Sequence, residues 1–289
     1  MSEGVSKRDA ATANQRQRVK SNKIRENGPG KWSGLKNGTL FVILHAYIWK
    51  NEETNSKARG SMIKKIDILG MQVDNYTVRE AILQLDTYMN STVLNIIETV
   101  TMKQLMQAVE NPKVRACIEQ ADLSVIGESE ILSETGAVSV QRMREIRDRD
   151  FTNKFLRRVV RNQKRIFLIA MTREDVEHMQ AFFEEKNPKF TVAGSYAMEE
   201  CVGDPDSVVN YINGTTPDVI ISSMASPDEE AFVLDHKDKI CASVWYGVGT
   251  DYDKKSGGVQ VGSMLKRLMM RGKLHHTLSR YQVESKSKK

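Results

Sequence analysis

The sequence is poor in the residues that staple a fold from outside. It holds 3 cysteines, 6 prolines and 3 tryptophans in 289 residues. Cys117, Cys201 and Cys241 are odd in number and widely scattered. That excludes a disulfide framework and points to reduced thiols in a cytosolic protein. Long hydrophobic runs are missing too. The apolar run Thr39 to Trp49 is far shorter than the ~20 residues that span a bilayer. It lies too far from Met1 for an ordinary signal core, and reads as an interfacial anchor or a loosely attached extension. No G-x-x-x-x-G-K-[ST] loop, no early G-x-G-x-x-G and no G-x-S-x-G elbow occurs. NTPase, dinucleotide-oxidoreductase and α/β-hydrolase readings therefore lose their usual support. His45, His178, His236, His275 and His276 form no zinc spacing, so no metal is called for.

What is present divides unevenly. The formal charge of +6 conceals a basic start: residues 1–61 hold 12 of the 43 Lys/Arg and 5 of the 37 Asp/Glu. Residues 62–289 keep 31 against 32, close to neutral. The first 38 residues lack periodicity and predict disorder, and Met62 reads as the start of the folded domain. A near-neutral domain without a recognition motif argues against a nucleic-acid partner. The expected division is a basic extension over 1–61, an α/β domain over 62–263 and a basic C-terminal tail over 264–289.

From Met62 strands and helices alternate. Ile66, Ile68 and Leu69 suggest a strand, and Thr77-Val78-Arg79-Glu80 has capping-box spacing before a helix to about Met89. Strands follow at 92–97, 121–126, 165–170, 190–194, 219–221 and 240–246. Helices are expected around Leu105–Val109, and over 112–120, 151–160, 172–186 and 204–213. Residues 130–149 show no clear pattern. The rhythm predicts a largely parallel, Rossmann-like sheet flanked by helices. Within it, Pro217 to Phe232 is the most informative stretch. Val219, Ile220 and Ile221 make a buried strand, Ser226 an N-cap, Pro227 the first helical position, and Asp228, Glu229 and Glu230 a first turn. Polar residues stand after successive strands: Thr99, Thr101, Glu128, Glu229, Glu230 and Asp253. The strand C-termini of a parallel sheet converge on one crevice, so these are the candidate site.

From about Ile63 to Ser263 the chain resembles the WecG/TagA/CpsF family of bacterial glycosyltransferases. Pro217-Asp218, Ser226-Pro227 and Glu230 match its PD-apolar and G-[SM]-P-x-Q-E-x-W pattern, with Phe232 in the Trp place. Gly247, Val248, Gly249, Tyr252, Asp253 and Gly257 match its G-V-G-G-x-F-D-x-x-x-G segment. The stretch VDNYTVREAI and the stretch from Asn111-Pro112 to Leu123 match two further signatures. The resemblance implies transfer of a hexosyl group, such as N-acetylmannosaminyl, from a nucleotide-sugar donor to a polyprenyl-linked acceptor in cell-envelope polysaccharide synthesis. It implies no cofactor beyond that donor. It also places the C-terminal appendage near the inner membrane face. Residues 264–280 interleave apolar and basic side chains, which suits either an amphipathic helix on that face or a packing helix before a basic tail, and Gly272 weakens a continuous helix.

Several implied positions are substituted. The T-x-N contact to substrate reads Thr99-Val100-Thr101, and the aspartate base falls on Gly127, leaving Glu128 to serve if the loop shifts by one residue. The arginine for the donor diphosphate falls on Glu145, with Arg144, Arg147 and Arg149 beside it, and the glutamine of P-x-Q-E is Glu229. Two readings follow. One is an active transferase with Glu128 as base and Thr99, Thr101, Arg144, Arg147, Ser226, Glu229, Glu230 and Asp253 binding substrate. The other is a non-catalytic relative that binds a nucleotide sugar or a partner enzyme. Glu128, Glu145, Glu229 and Glu230 would repel a diphosphate unless paired, which favours the second, while the family resemblance favours the first, which stands as the expected activity.

Overall fold

A computed structural model describes residues 64–253 and 261–287. The basic extension, the Thr39–Trp49 run and Gly257 lie outside the described residues. The chain opens on an antiparallel hairpin, β1 (Lys65–Ile68) and β2 (Met71–Asp74), with Ile68 opposite Met71. Its two-residue turn holds Leu69 and Gly70 at φ of 55° and 80°. This is the left-handed geometry that tight hairpins require. Leu69 is a poor residue there, but its side chain is buried, and Asp67 Oδ1 accepts from the Gly70 N–H at 3.0 Å. The expected strand at Ile66–Leu69 is thus half of a hairpin.

Helix α1 (Val78–Tyr88) begins at the predicted capping box: Thr77 Oγ1 accepts from Glu80 N–H, and Glu80 Oε2 accepts from Thr77 N–H. β3 (Asn95–Val100), α2 (Met102–Glu110), α3 (Pro112–Gln120) and β4 (Leu123–Ile126) follow. The unplaced stretch is two helices, α4 (Ser129–Thr135) and α5 (Val140–Arg147), before α6 (Asp150–Arg161). Next come β5 (Ile166–Ala170), α7 (Arg173–Lys186), β6 (Val192–Ala197), α8 (Asp206–Thr215), β7 (Val219–Ser222), α9 (Asp228–His236), β8 (Val244–Gly247) and α10 (Val261–Ser287).

Six strands form one all-parallel sheet in the order β4-β3-β8-β7-β5-β6. Every residue of β5 and β7 is buried, as expected when helices cover both faces and strands read as continuous apolar runs. Ile97, Leu168, Ile221 and Tyr246 face a core shared with Leu85 of α1, Phe155 of α6 and Phe183 of α7. Ile96, Phe167, Ile220 and Trp245 face the opposite core, with Cys117 of α3, Ile212 of α8 and Val233 of α9. Full burial of side chains like Phe155 and Ile220 contributes about 1.5–3 kcal/mol each.

Because the strands are parallel, their C-terminal ends share one rim. That rim carries Thr99 and Thr101, Gly127 and Glu128, Ser222 to Ser226, and Gly247 to Asp253. A third core lies beside it, where Leu274 and Leu278 of α10 pack with Val100, Met102 and Leu105. Helix α10 runs unbroken through Gly272, and a Cβ built there meets nothing within 4 Å. Buried leucines offset the roughly 1 kcal/mol that glycine costs inside a helix.

Candidate functional site

The first corner of the rim is built from β3, α2 and β4. Thr101 caps α2, its hydroxyl accepting from Gln104 N–H at 3.2 Å. Gly127 N–H donates to Val100 O at 2.9 Å, so the strand ends of β3 and β4 run side by side. A side chain on Gly127 has no room: its Cβ would stand 2.8 Å from Thr99 Cγ2 and 3.3 Å from Val100 O. The next residue, Glu128, turns its carboxylate onto the start of α2, where Oε2 accepts from Met102 N–H at 2.7 Å. A carboxylate at a helix N-terminus meets an orphan donor and the positive end of the dipole. Thr99, Thr101 and Glu128 are all half-buried. The structure brings these three candidates together.

The second corner joins β3, β7, β8 and the start of α9. Cross-strand register sets Glu98 beside Gly247 and Gly247 beside Ser222, one row across three strands. The side chain that Gly247 lacks leaves room for two carboxylates, since a Cβ there would lie 2.8 Å from both Glu98 Oε2 and Glu229 Oε1. Gln104 Nε2 donates to Glu98 Oε1 and to Glu230 Oε1, each at 2.7 Å. Trp245 Nε1 donates to Glu229 Oε1 at 3.2 Å, and the Ser222 hydroxyl also bonds Glu229. Glu98, Glu229 and Glu230 are 2, 3 and 0% exposed. Burial pushes Glu98 well above the usual carboxylate range, with Glu229 and Glu230 adding repulsion. Burial likewise pushes Glu229 up to about 8, the Ser222 and Trp245 hydrogen bonds opposing and Glu230 assisting.

Ser226 is not the cap that its sequence position predicts. Helix α9 starts at Asp228, and Asp228 N–H and Glu229 N–H both reach Ala225 O, at 2.9 and 3.1 Å. The backbone carbonyl takes the donors that the serine oxygen would have taken. Ser226 instead offers its carbonyl to Gln107 Nε2 at 3.2 Å.

The remaining candidates stand apart from these two corners. Arg144 and Arg147 lie exposed on α5, with Arg147 Nε 3.6 Å from Asp148. Glu145, on the same helix, is buried and structural. It pairs with buried Arg142 at 2.9 Å, accepts from Gln141 Nε2, and accepts from Val78 N–H at the start of α1. Burial works against its charge, but these hydrogen bonds hold its carboxyl below the usual range. Asp253 sits after β8, 3.7 Å from His178 Nε2, and His178 Nδ1 lies 3.0 Å from Tyr252 Oη. Arg149 donates to the carbonyls of Asp251 and Tyr252 and so pins this loop to the junction of α5 and α6.

The four acidic residues expected to repel a diphosphate are therefore answered in different ways. Glu145 is paired with an arginine, Glu128 caps a helix, Glu230 accepts from an amide, and burial pushes Glu229 up, away from the charged form. Sequence reading missed Glu98 and Gln104. The available signal was a lone carboxylate inside the run NIIETV, because an ionisable residue in a buried strand demands a partner.

The family model described as "Glycosyl transferase WecG/TagA/CpsF family" matches residues 66–269. The N-acetylglucosaminyldiphosphoundecaprenol N-acetyl-beta-D-mannosaminyltransferases of Staphylococcus aureus strains NCTC 8325 / PS 47 and COL are each 23% identical over 203 residues. The match covers 67% of this chain and 76% of each relative. The protein of strain MRSA252 matches to the same extent.

Proposed function

The chain belongs to the WecG/TagA/CpsF family of glycosyl transferases, and from that premise we propose that it moves a hexosyl group from a nucleotide sugar onto a polyprenyl-diphosphate-linked acceptor in cell-surface polysaccharide synthesis. The sugar is N-acetylmannosaminyl or a close analogue, since the relatives are named for that transfer. One observation carries the reading: Glu128 holds a half-buried carboxylate at the rim, fixed on Met102 N–H beside Thr99 and Thr101. In this reading the base stands one residue further along the loop than in the family pattern. Glu128 takes the proton of the acceptor hydroxyl, that oxygen bonds the anomeric carbon, and the bond from that carbon to the diphosphate breaks. Thr99, Thr101, Ser226 and Asp253 contact the substrates, Glu229 and Glu230 lie buried behind them and act through their network with Gln104 and Trp245, and Arg144 and Arg147 supply positive charge for the leaving nucleoside diphosphate.

Among the described residues no helix is long and apolar enough to cross a membrane. Leu268, Met269 and Val283 of α10 are exposed, which supports peripheral contact with the inner membrane face, where a lipid-linked acceptor lies.

The non-catalytic reading has its own support in Gly127, which has no room for the expected aspartate. Transfer assays on the wild type and Glu128→Gln, run with calorimetry of donor binding, separate the two. The expected result is a loss of about 10²–10⁴-fold in turnover with donor binding kept. Unchanged turnover in Glu128→Gln would remove Glu128 as base. Binding without turnover in the wild type would select the non-catalytic relative.

A further inference from the structure

We propose that Glu98 and Gln104 are positioning residues of this site, holding the first turn of α2, and through it Glu128, against α9 by way of a carboxyl cluster that retains a proton. Neither residue touches substrate in the reaction drawn above. The inference deepens that reading and rests on it only for its catalytic arm.

The first turn of α2 is fixed at three points. Thr101 Oγ1 holds Gln104 N–H, Glu128 Oε2 holds Met102 N–H, and the Gln104 carboxamide bridges Glu98 of β3 to Glu230 of α9. Met102 and Gln104 are two residues apart, so a shift of the bridge moves the donor that orients Glu128. Gln104 is itself 5% exposed, too buried for water to substitute freely.

Donor counting shows why the cluster keeps a proton. Six carboxylate oxygens share two N–H from Gln104, one from Trp245 and one hydroxyl from Ser222. Glu98 Oε2 and Glu230 Oε2 are buried without a partner among the described residues. The titratable groups facing the cluster from other elements are the Cys117 thiol of α3 and the Tyr246 phenol of β8, and neither is a cation. Carboxylates packed together away from water and without a cation cannot all ionise. A shared proton turns one unpaired carboxylate oxygen into a donor for a neighbouring oxygen. Gly247 makes room for that sharing.

The test uses the full chain and three readouts. In wild type labelled with side-chain 13C-glutamate, carboxyl resonances titrating well above the ordinary carboxylate range are expected, and Glu98→Gln and Glu229→Gln should each remove the resonance of the glutamate replaced. Gln104→Leu, which removes the bridge without adding charge, should lower kcat by about 10–100-fold, the scale of a misplaced catalytic group, with the KM for the donor little changed. Glu98→Gln, which keeps the shape, should retain kcat near neutral pH and shift the alkaline limb of the pH–rate profile. If every glutamate of the wild type titrates in the ordinary range, the shared proton is wrong. If folded Gln104→Leu keeps the wild-type kcat, the positioning role is wrong. If the wild type transfers no sugar, the transferase reading and the positioning role fall together, and the resonances alone decide whether the proton is shared.

Discussion

Two buried acidic sites lie in this one domain, and they resolve the same problem in opposite ways. At the start of α1, Glu145 meets a guanidinium, a carboxamide and a backbone N–H, and its carboxyl stays below the usual range. At the rim, Glu98 and Glu229 meet an amide, an indole and a hydroxyl, and both are pushed up. Burial opposes the charge in both places, and the donors favour it in both. At the rim burial is deeper and neighbouring carboxylates add repulsion, whereas Glu145 has no carboxylate against it and gains Gln141, Arg142 and Val78 as donors. Under the proposed function the consequence falls at the rim, where raising Glu229 reduces the negative charge set against a diphosphate.

The sharpest way to break the contrast is to remove the cation. Arg142→Met leaves Glu145 buried and unpaired, and should cost about 3–5 kcal/mol of stability in chemical denaturation. A loss within error of zero would mean that the pair adds little. Filling the space at the other site comes next. Gly247→Ala sets a Cβ 2.8 Å from oxygens of Glu98 and Glu229 and should cost about 1–3 kcal/mol by overpacking, with a visible change in how those carboxyls titrate. Third is pH. The Glu229 carboxyl rises from an ordinary 4.5 to about 8 on folding, so the folded state binds more protons between those values. Its contribution is complete below about 4.5 and is lost as pH rises through about 8, at roughly 1.4 kcal/mol per unit. Glu145 has the opposite sign: its contribution is present above 4.5 and lost on acidification through its lowered folded value. Unfolding followed from pH 2 to 9 should show Glu229→Gln flattening the decline toward alkaline pH and leaving the acid limb in place. An unchanged alkaline slope would count against the assignment.

The features legible in the sequence were the ones whose geometry is local. The box at Thr77–Glu80, the proline that opens α3 and the cap at Thr172 each act within four residues, and all three helices start as expected. The parallel sheet followed from apolar strands alternating with those helices. Helix α5 escaped because its buried side includes Arg142 and Glu145, and an ion pair leaves no apolar period to read. The β1–β2 hairpin escaped because its turn is Leu-Gly rather than Asn-Gly. At the site, Thr99, Thr101 and Glu128 were found as strand-end residues, but the bond joining Glu128 to α2 links residues 26 apart. The bridge from Gln104 to Glu230 spans 126 residues. No local pattern encodes such pairs, and Glu98 lies inside a strand that runs on to Val100, past the expected end at residue 97.

The smallest effect tests how closely the charged site is tied to its helix. Thr77→Ala removes the hydroxyl that accepts from Glu80 N–H at 3.3 Å, a change that costs about 1 kcal/mol at a typical N-cap. Here the cost should sit at the low end, because Val78 N–H remains on Glu145 at 3.2 Å and Ala81 N–H remains on the Thr77 carbonyl at 2.9 Å. In an Arg142→Met background Glu145 no longer has its guanidinium, and the two supports of the α1 N-terminus stop being independent. The double mutant should then depart from additivity by about 0.5 kcal/mol or more, the range seen for residues that share partners. Strict additivity in the same denaturation series would mean that Glu145 and the capping box act on α1 separately. The buried pair would then serve the α1–α5 contact and not the helix start.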